Sequence, residues 1–526
     1  MSGLPETNIA WPPAGHARRY DRMRECAAWY EGDVSKLSGV YAGTPGAAVV
    51  TANGFRGITQ RLGAGFWHEP SPQGARHHLP IANDIATRSA DLLFADPPTF
   101  TIDAPEPEAG PNGEPAEVPA DVQAAQARLD AILDASNAEA LFLQAAEVAA
   151  ALGSVVLRIA YDESGPSGKK PILTVVHADA AVPVYRWGQL VATTIWRTLP
   201  GTSDQDVYRH LEHHEGGYVE HALYRGSPDR IGRRIPLADH PDTRELAEQV
   251  DAESRILLDP AGGLTAVSIP NMLPDPADRN AQAGRSDYTA PVIDLMDAAD
   301  GIYTRMLEHI DDARSRIIIA EALLTRRGAG RGVEFDMGQR VFTKVKYPAA
   351  ENPTGGLPIE KVQFDMHVAE HLQALDALQQ RAIQAAGYST RTDQGSDGDA
   401  MTATEVGATE RKSLATRDRK VRYWRAALAR LATTLLSVDR FLFPAEAAPV
   451  AFPVRVAFPE AVQPSPLDLA NLATALRASG GASTTTIVEA LHPDWSQGEI
   501  DDEVGRIENV AAVMDPATFR DPSPDP

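Results

Sequence analysis

The sequence predicts an α+β protein whose β-rich first half precedes a mainly helical second half, and three observations lead to this prediction. Apolar residues recur every three or four positions along residues 286–316, 364–386 and 402–442, which is the period of an amphipathic helix. They alternate along much of residues 153–224, which is the period of strands with one buried face. Short β candidates between Gly- and Pro-rich turns fill residues 325–362. This order predicts a helical hairpin with a small β tip.

Composition narrows the function before any motif is considered. The chain has 526 residues, of which 43% are hydrophobic and 23% are charged, enough to form a sizeable core. Its 72 acidic and 49 basic residues give a net charge of −23, which argues against a protein that wraps nucleic acid along a basic face. The single cysteine, Cys26, fits a reducing compartment. No apolar run reaches the roughly 18 residues of a membrane span, so a soluble protein is expected.

The first half begins with short helices and continues as antiparallel strands. Residues 83–94 predict a helix that ends before a Pro-Pro pair, and residues 122–152 predict a longer one. Residues 103–120 are rich in Pro, Glu and Gly and predict a flexible surface loop. The alternating strands include a hairpin that turns on residues 215–217, Glu-Gly-Gly.

The stretch between the second and third long helices is the most informative part of the chain. Gly387 predicts a helix end in a left-handed turn, because glycine has no Cβ to clash there. Thr402 and Glu405 form a capping box, in which the two side chains satisfy backbone N–H groups at a helix start. Residues 390–401 have no apolar periodicity and carry three carboxylates. We expect an acidic, mobile loop that contacts something passing by.

The remaining elements and the charge distribution complete the prediction. A strand is predicted at 450–458, and short helices are predicted at 466–478, 484–491 and 498–513. Residues 286–324 are acidic, whereas the helix 402–442 is basic. This contrast is explained equally by contacts between subunits and by two solvated helix faces.

Histidines provide the most tempting metal constellation, at His210, His213, His214 and His221. On a strand, His210, Glu212 and His214 lie on one face and His213 lies on the other. The helical His-Glu-x-x-His arrangement of zinc enzymes is missing, so a solvated hairpin face is preferred and no metal is expected.

The other motifs do not predict catalysis or a cofactor. Residues 165–170 lack the spacing of a phosphate loop and predict a hairpin turn. The basic, Gly-rich residues 327–332 predict a flexible tip loop in preference to a phosphate contact. Asp397 and Asp399 lack the ligand series of an EF-hand, and Cys26 has no evident base beside it. We therefore expect a protein that is not an enzyme, with no catalytic residues and no cofactor.

Several segments carry a family resemblance through their order and spacing. They are residues 78–85, 89–98, 207–226, 284–288, 387–389 and 402–406. Together they resemble the portal proteins of tailed bacteriophages, of the type found in long-tailed actinobacterial phages. The resemblance extends from about residue 75 to residue 442.

The resemblance implies the portal fold, with a β-rich wing, a helical-hairpin stem, a small α/β clip, a long helix and a C-terminal helical crown. On that plan the chain divides into a wing at 1–285, stem helix 1 at 286–324, the clip at 325–362, stem helix 2 at 363–387, the tunnel loop at 388–401, the long wing helix at 402–442, a wing strand at 443–464, and the crown with an acidic tail at 465–526.

The resemblance also implies a function. Portal proteins form a ring, typically of twelve subunits, at one capsid vertex of the virion, and assemble in the host cytoplasm. The ring is the head–tail connector, through which double-stranded DNA passes without sequence specificity during packaging and ejection. The implied partners are further copies of the chain, the terminase large subunit (the packaging ATPase), a head–tail adaptor, and the major capsid and scaffolding proteins, with no membrane involved.

Four sets of residues are candidates for these roles. The tunnel loop presents Arg391, Asp393, Asp397 and Asp399 to DNA, and Gly387, Thr402 and Glu405 form its hinge and cap. The candidates for the channel lining are Asp294, Asp297, Asp300, Glu308 and Asp311, whose charge repels phosphates. The candidates for docking at the clip are Arg326, Arg327, Arg331, Lys344 and Lys346. Basic residues of the third helix either contact DNA or pair across subunit interfaces.

Two other functions remain as alternatives. One is a metal-dependent nuclease or hydrolase that uses Asp393, Asp397 and Asp399, although metal sites normally sit on rigid elements and this loop is not one. The other is a scaffold or adaptor protein that forms no ring.

Overall fold

In the computed structural model, thirteen α-helices and fifteen strands form the described part of the chain. The structure describes residues 3–42, 65–68, 76–104, 118–161, 168–203, 206–259, 263–279, 281–312, 316–319, 325–326, 333–334, 359–362, 367–390, 403–450, 452–460, 466–479, 481–492 and 497–513. None of the helices among these residues is both long enough and apolar enough to span a bilayer.

The helices are α1 (Ala17–Glu31), α2 (Val34–Ala42), α3 (Gly65–His68), α4 (Ile81–Phe94), α5 (Ala120–Ala135), α6 (Ala138–Leu152), α7 (Pro241–Gln249), α8 (Ala290–Asp312), α9 (Val368–Ala386), α10 (Ala403–Leu442), α11 (Pro466–Ser479), α12 (Thr484–Leu491) and α13 (Gln497–Val513). The strands are β1 (Thr99–Ile102), β2 (Ser154–Tyr161), β3 (Pro171–His177), β4 (Ala181–Arg186), β5 (Gln189–Thr198), β6 (Val207–Glu215), β7 (Tyr218–Ser227), β8 (Arg230–Ile235), β9 (Arg255–Leu257), β10 (Ala266–Pro270), β11 (Arg316–Ile319), β12 (Thr325–Arg326), β13 (Val333–Glu334), β14 (Ile359–Val362) and β15 (Val454–Ala457).

Two antiparallel sheets form the β-rich first half. The larger follows the order β4-β5-β6-β7-β8, and β9 pairs with the first residues of β7. The smaller follows the order β10-β2-β3. Glu215 pairs with Tyr218 across β6 and β7, so the predicted hairpin on Gly216 and Gly217 is confirmed. The antiparallel pairing of Tyr161 with Pro171 likewise confirms that β2 and β3 form a hairpin.

The second half contains the predicted helical hairpin. Helices α8 and α9 pack against each other. Strand β11 follows α8 and strand β14 precedes α9, and the two strands pair with Arg316 opposite Val362. Helix α10 runs 40 residues, about 60 Å, and buries Trp424, Leu428 and Leu435 in the main core. Strand β15 then returns to pair with β1.

The prediction of one continuous helix at 122–152 is wrong. Residues 122–152 form two helices, because Asn137 adopts a left-handed conformation with φ of 48° between α5 and α6. Asparagine tolerates this region better than most residues do. Helices 83–94, 286–316, 364–386 and 402–442 are confirmed with small changes of boundary, as are the three C-terminal helices. Of the short β candidates predicted within 325–362, the one at 341–347 lies outside the described residues.

Candidate functional site

The end of α9 fixes the backbone that leads into residues 391–402. Gly387 follows α9 in a left-handed conformation, with φ of 108°, and its N–H donates to the carbonyl of Gln384. A Cβ at this position would lie 2.9 Å from Oγ1 of Thr416. Both the backbone conformation and this close approach therefore favour glycine. The predicted helix end at Gly387 is confirmed.

Side chains from α4 and α10 bond to the backbone of Gly387 and Ser389. Oγ1 of Thr416 donates to the carbonyl of Gly387 at 2.7 Å. The N–H of Ser389 donates to Oγ of Ser413 at 2.8 Å, and Nη1 of Arg88 donates to the carbonyl of Ser389 at 2.9 Å. Backbone groups that ordinary loops leave to water are here bonded to two helices. We call Gly387, Tyr388 and Ser389 the loop base.

The middle residue of the loop base belongs to a buried polar network centred on a lysine. Nζ of Lys420 donates to Asp287 at 2.6 Å, to Oγ of Ser89 at 2.6 Å and to the hydroxyl of Tyr388 at 2.9 Å. The Tyr388 hydroxyl donates to Oδ2 of Asp287 at 2.7 Å, and Nδ2 of Asn271 donates to Oδ1 at 2.8 Å. Each of these five residues is no more than 1% exposed. The network joins α4, α10, the loop base and the segment before α8.

Burial dominates the electrostatics of this network. It lowers the pKa of Lys420, and the nearby Asp287 carboxylate opposes that change. It raises the pKa of Tyr388 well above the ordinary value, an effect that Asp287 reinforces. Removing either partner of an ion pair this far from water is destabilising, because it leaves the other charge buried without a counter-charge.

The other predicted loop residues lie mostly outside the described part of the chain. This holds for Arg391, Asp393, Asp397, Asp399 and Thr402. Glu405 lies in the first turn of α10, which begins one residue after the predicted Thr402 cap. In the clip set, Arg326 lies at the end of β12, whereas Arg327, Arg331, Lys344 and Lys346 are outside the described residues.

The prediction that Asp297 and Asp300 line an open channel is wrong, because both carboxylates are buried within the subunit. Asp300 is 1% exposed and accepts hydrogen bonds from the Leu79 N–H and the Trp67 indole, and Nδ1 of His78 lies 2.8 Å from it. Asp297 accepts from the backbone N–H groups of residues 66 and 67. Burial raises the pKa of Asp297 to about 6. These two acids bind the segments before α4 onto α8.

The rest of the acidic set remains at or near the surface. Glu308 and Asp311 are exposed, and Asp294 is half-buried. These three stay candidates for the channel lining.

The basic set on α10 also needs correction. Arg417 and Lys420 do not lie on a solvated face, because they are 7% and 1% exposed. Arg417 donates to the carbonyls of Leu92 and Pro459, both at 2.7 Å. Both side chains bond to groups within the subunit.

Sequence reasoning missed Lys420, Tyr388 and Asn271. A signal was present: Ser413, Thr416 and Lys420 continue the apolar stripe of Trp424 at spacings of three and four, so polar residues occupy the buried face of α10. Polar residues at inward positions indicate a buried network that needs partners from elsewhere.

The histidines of β6 and β7 are also buried, so the predicted solvated hairpin face is wrong. His210, His213 and His214 are each 2% exposed, and His221 is 7% exposed. The predicted division between the two faces of the strand agrees with their contacts: His213 meets Thr194 on β5, whereas Nε2 of His210 lies 3.2 Å from Nδ1 of His221.

Comparison with known proteins gives a family match across most of the chain. The family described as phage portal protein, SPP1 Gp6-like, matches residues 10–508. No curated protein matches significantly.

Three solved structures from gene transfer agent (GTA) particles align with the chain. They are the neck of the native particle computed with C12 symmetry (14% identity, 84% of this chain and 91% of that chain, TM-score 0.31), the virion of the native particle (13%, 81% and 90%, TM-score 0.32) and the neck of the empty particle computed with C6 symmetry (15%, 86% and 94%, TM-score 0.33).

Proposed function

Because the chain belongs to the SPP1 Gp6-like family of phage portal proteins, and is therefore a structural protein of the phage head–tail connector and not an enzyme, we propose that it forms a ring around a DNA channel. The ring, of twelve subunits, occupies one capsid vertex. Double-stranded DNA passes through it during packaging and ejection, with no sequence preference.

The anchored loop base is the observation that supports assigning the loop after it as the contact with moving DNA. A loop that touches a passing duplex needs a fixed base, because otherwise DNA motion would displace its attachment as well as its tip. The chain has such a base at residues 387–389, bonded to α4 and α10 and to the buried Lys420. The twelve residues from 391 to 402 can reach at most about 20 Å from their ends, since each extended residue spans about 3.4 Å. We assign residues 388–401 as the tunnel loop, with Gly387 as its hinge and Thr402 and Glu405 as its cap.

The remaining regions take the roles that the family plan gives them. We propose the wing at 1–285, the stem helices at 286–324 and 363–387, the clip at 325–362, the tunnel loop at 388–401, the long wing helix at 402–442, the wing strand at 443–464 and the crown with its tail at 465–526. The packing of α8 on α9, with the β11–β14 ladder beyond it, supports a hairpin stem that carries the clip.

The charge of the protein supports a channel to whose wall DNA does not adhere. The net charge of −23 disfavours adhesion of phosphates, and Asp294, Glu308 and Asp311 on α8 are the lining residues we retain. Within the tunnel loop, Arg391, Asp393, Asp397 and Asp399 face the duplex.

Docking of other proteins is assigned to the clip. Its basic residues, Arg326, Arg327, Arg331, Lys344 and Lys346, bind the terminase large subunit during packaging and a head–tail adaptor afterwards. The major capsid and scaffolding proteins surround the ring. We place the protein in a long-tailed phage of the actinobacterial type.

A deletion within the tunnel loop tests the proposal. Removing residues 391–400 should leave ring formation intact, as seen by light scattering and negative-stain images, and should reduce the packaging or retention of DNA. Removing the ten residues 108–117, another segment of the same length, is the matched control and should leave packaging unchanged. Normal packaging by the first deletion would exclude the tunnel-loop role, and a strictly monomeric protein under assembly conditions would exclude the ring.

A further inference from the structure

A second cluster of ionisable side chains is buried between the two larger sheets, away from the loop base. His210, Glu212 and His214 project from one face of β6, and His221 pairs with Glu212 across the hairpin and so shares that face. Arg158 on β2 closes the cluster from the smaller sheet, with Nη1 donating to Glu212 at 2.7 Å.

The spacing of the cluster suits a metal ion. One ligand atom from each of His210, Glu212 and His221 can be chosen so that all three lie within 4.8 Å of one another. Nε2 of His210 and Nδ1 of His221 are already 3.2 Å apart. Two nitrogen ligands at about 2.05 Å from one tetrahedral zinc ion stand roughly 3.3 Å apart, so the separation of these two nitrogens already matches that of two ligands of one ion. The carboxylate of Glu212 lies within 4.8 Å of both nitrogens, and its side-chain torsions allow it to move closer.

The protonation states are those that ligands need. Burial lowers the pKa of His210 to about 4 and that of His221 to about 3, so both imidazoles are neutral near pH 7. Burial opposes ionisation of Glu212, but His214 and Arg158 together hold its pKa well below the ordinary value. The set is therefore two neutral nitrogens and one carboxylate, the donors of many zinc sites.

A weakly bonded atom points to the same place. Nε2 of His214 is buried and lies 3.5 Å from Oε2 of Glu212, close enough to lower the pKa of that carboxyl but too far for a well-formed hydrogen bond. Nδ1 of His214 is fixed at 2.8 Å from Oγ1 of Thr265, so the ring is held with Nε2 towards the carboxylate. Buried polar atoms normally have partners, and a bound ion is one explanation for an exception.

The cluster has access to solvent and room for its neighbouring charges. A cleft of about 380 Å³ is lined in part by His210, Glu212 and Arg158 and provides the route to the site. Oε1 of Glu212 lies 3.8 Å from Nδ1 of His210 and must turn towards the Nε2 side of that ring, whereas Arg158 binds Oε2, so a metal and the guanidinium can share the carboxylate. The Arg197 contact to Nδ1 of His210 is long, at 3.4 Å, and comes from an exposed side chain that can withdraw.

We propose that His210, Glu212 and His221 bind one divalent transition-metal ion of the zinc class, with His214 beside the carboxylate of Glu212. The ion ties the β6–β7 hairpin to the smaller sheet through Glu212 and Arg158. The site is structural and is independent of the DNA channel.

The first test is metal content. The full-length protein, dialysed against Zn²⁺ and then against metal-free buffer, should retain about one zinc per chain by mass spectrometry. Co²⁺ in its place should give the intense visible absorption of a tetrahedral site. An exposed pair, His309 and His371, with nitrogens 3.1 Å apart, is the alternative source of binding. The H309N/H371N variant should keep its zinc, and loss of all zinc from it would overturn the proposal.

The second test is removal of a ligand. His221→Asn should lose the zinc, whereas the matched control His213→Asn, on the other face of the hairpin, should keep it. Zinc at about 100 times its dissociation constant should raise the Tm of the natural protein by about 2–3 °C, and should not raise that of His221→Asn. A folded His221→Asn protein that retains one zinc would overturn the proposal, as would a natural protein whose Tm does not change when zinc is added. Metal content of the natural protein decides the matter even if the variant fails to fold.

Discussion

Replacing Lys420 by Met is the sharpest test of the network beneath the loop base. The methionine side chain fills a similar volume and removes only the ammonium group. That group makes three hydrogen bonds of 2.6–2.9 Å and offsets the charge of Asp287, which is 1% exposed. Breaking a buried ion pair by removing one partner costs about 3–5 kcal/mol. Asp287 keeps donors from Asn271 and Tyr388, so we expect a loss near the lower end, about 3 kcal/mol.

The assay is urea unfolding of the full-length protein, with its oligomeric state recorded by light scattering. Arg419→Met on the same helix is the matched control, since this side chain is exposed and its replacement should change the free energy of unfolding by no more than about 0.5 kcal/mol. The double variant K420M/D287N should lose less than the sum of the two single changes, because each removes the other's unpaired charge. Hydrogen exchange of the Ser389 amide, which donates to Ser413, should accelerate in Lys420→Met. If Lys420→Met matched Arg419→Met in stability and left that amide unchanged, the network would not anchor the loop base.

Three further outcomes are expected from the same unfolding assay. Gly387→Ala should lose about 1–3 kcal/mol, because the left-handed backbone and the 2.9 Å approach to the neighbouring hydroxyl both penalise a Cβ; an unchanged midpoint would contradict this. Asp300→Ala should lose about 2–4 kcal/mol by leaving buried donors unpaired, whereas Glu308→Ala on the exposed part of α8 should change little; equal effects would contradict the assigned burial. Because His210 and His221 are neutral in the folded protein down to about pH 4 and 3, stability should be complete above pH 6.5 and fall below it by roughly 1.4 kcal/mol per pH unit for each ring; a curve flat from pH 7 to 5 in metal-free buffer would refute this.

Local signals explain what could be predicted from the sequence. The stop at Gly387, the hairpin turn on Gly216 and Gly217, and the long stripe of α10 depend on backbone conformation or helical period within a few residues. Each was predicted, and each is present. The break at Asn137 is also local but depends on one residue's tolerance of positive φ, which a helical periodicity conceals.

The buried network could not be predicted, because its members are distant in sequence. Lys420 and Asp287 are separated by 133 residues, and Lys420 and Ser89 by 331. The prediction that Asp300 lies at the surface was wrong for the same reason. The acidic stripe of an amphipathic helix usually faces solvent, and only the tertiary fold brings the segment around His78 across this one.

The loop base and the start of the α8–α9 hairpin share one anchor. Asp287 lies three residues before α8, and Tyr388 lies two residues after α9, and both bond to Nζ of Lys420 on α10. A displacement of the loop base relative to α10 therefore breaks hydrogen bonds that also hold the beginning of α8. Because the amine is buried, water cannot replace those bonds, so the displacement carries the full cost of leaving a charge unpaired. The loop base and the helical hairpin consequently move as one unit or remain fixed together.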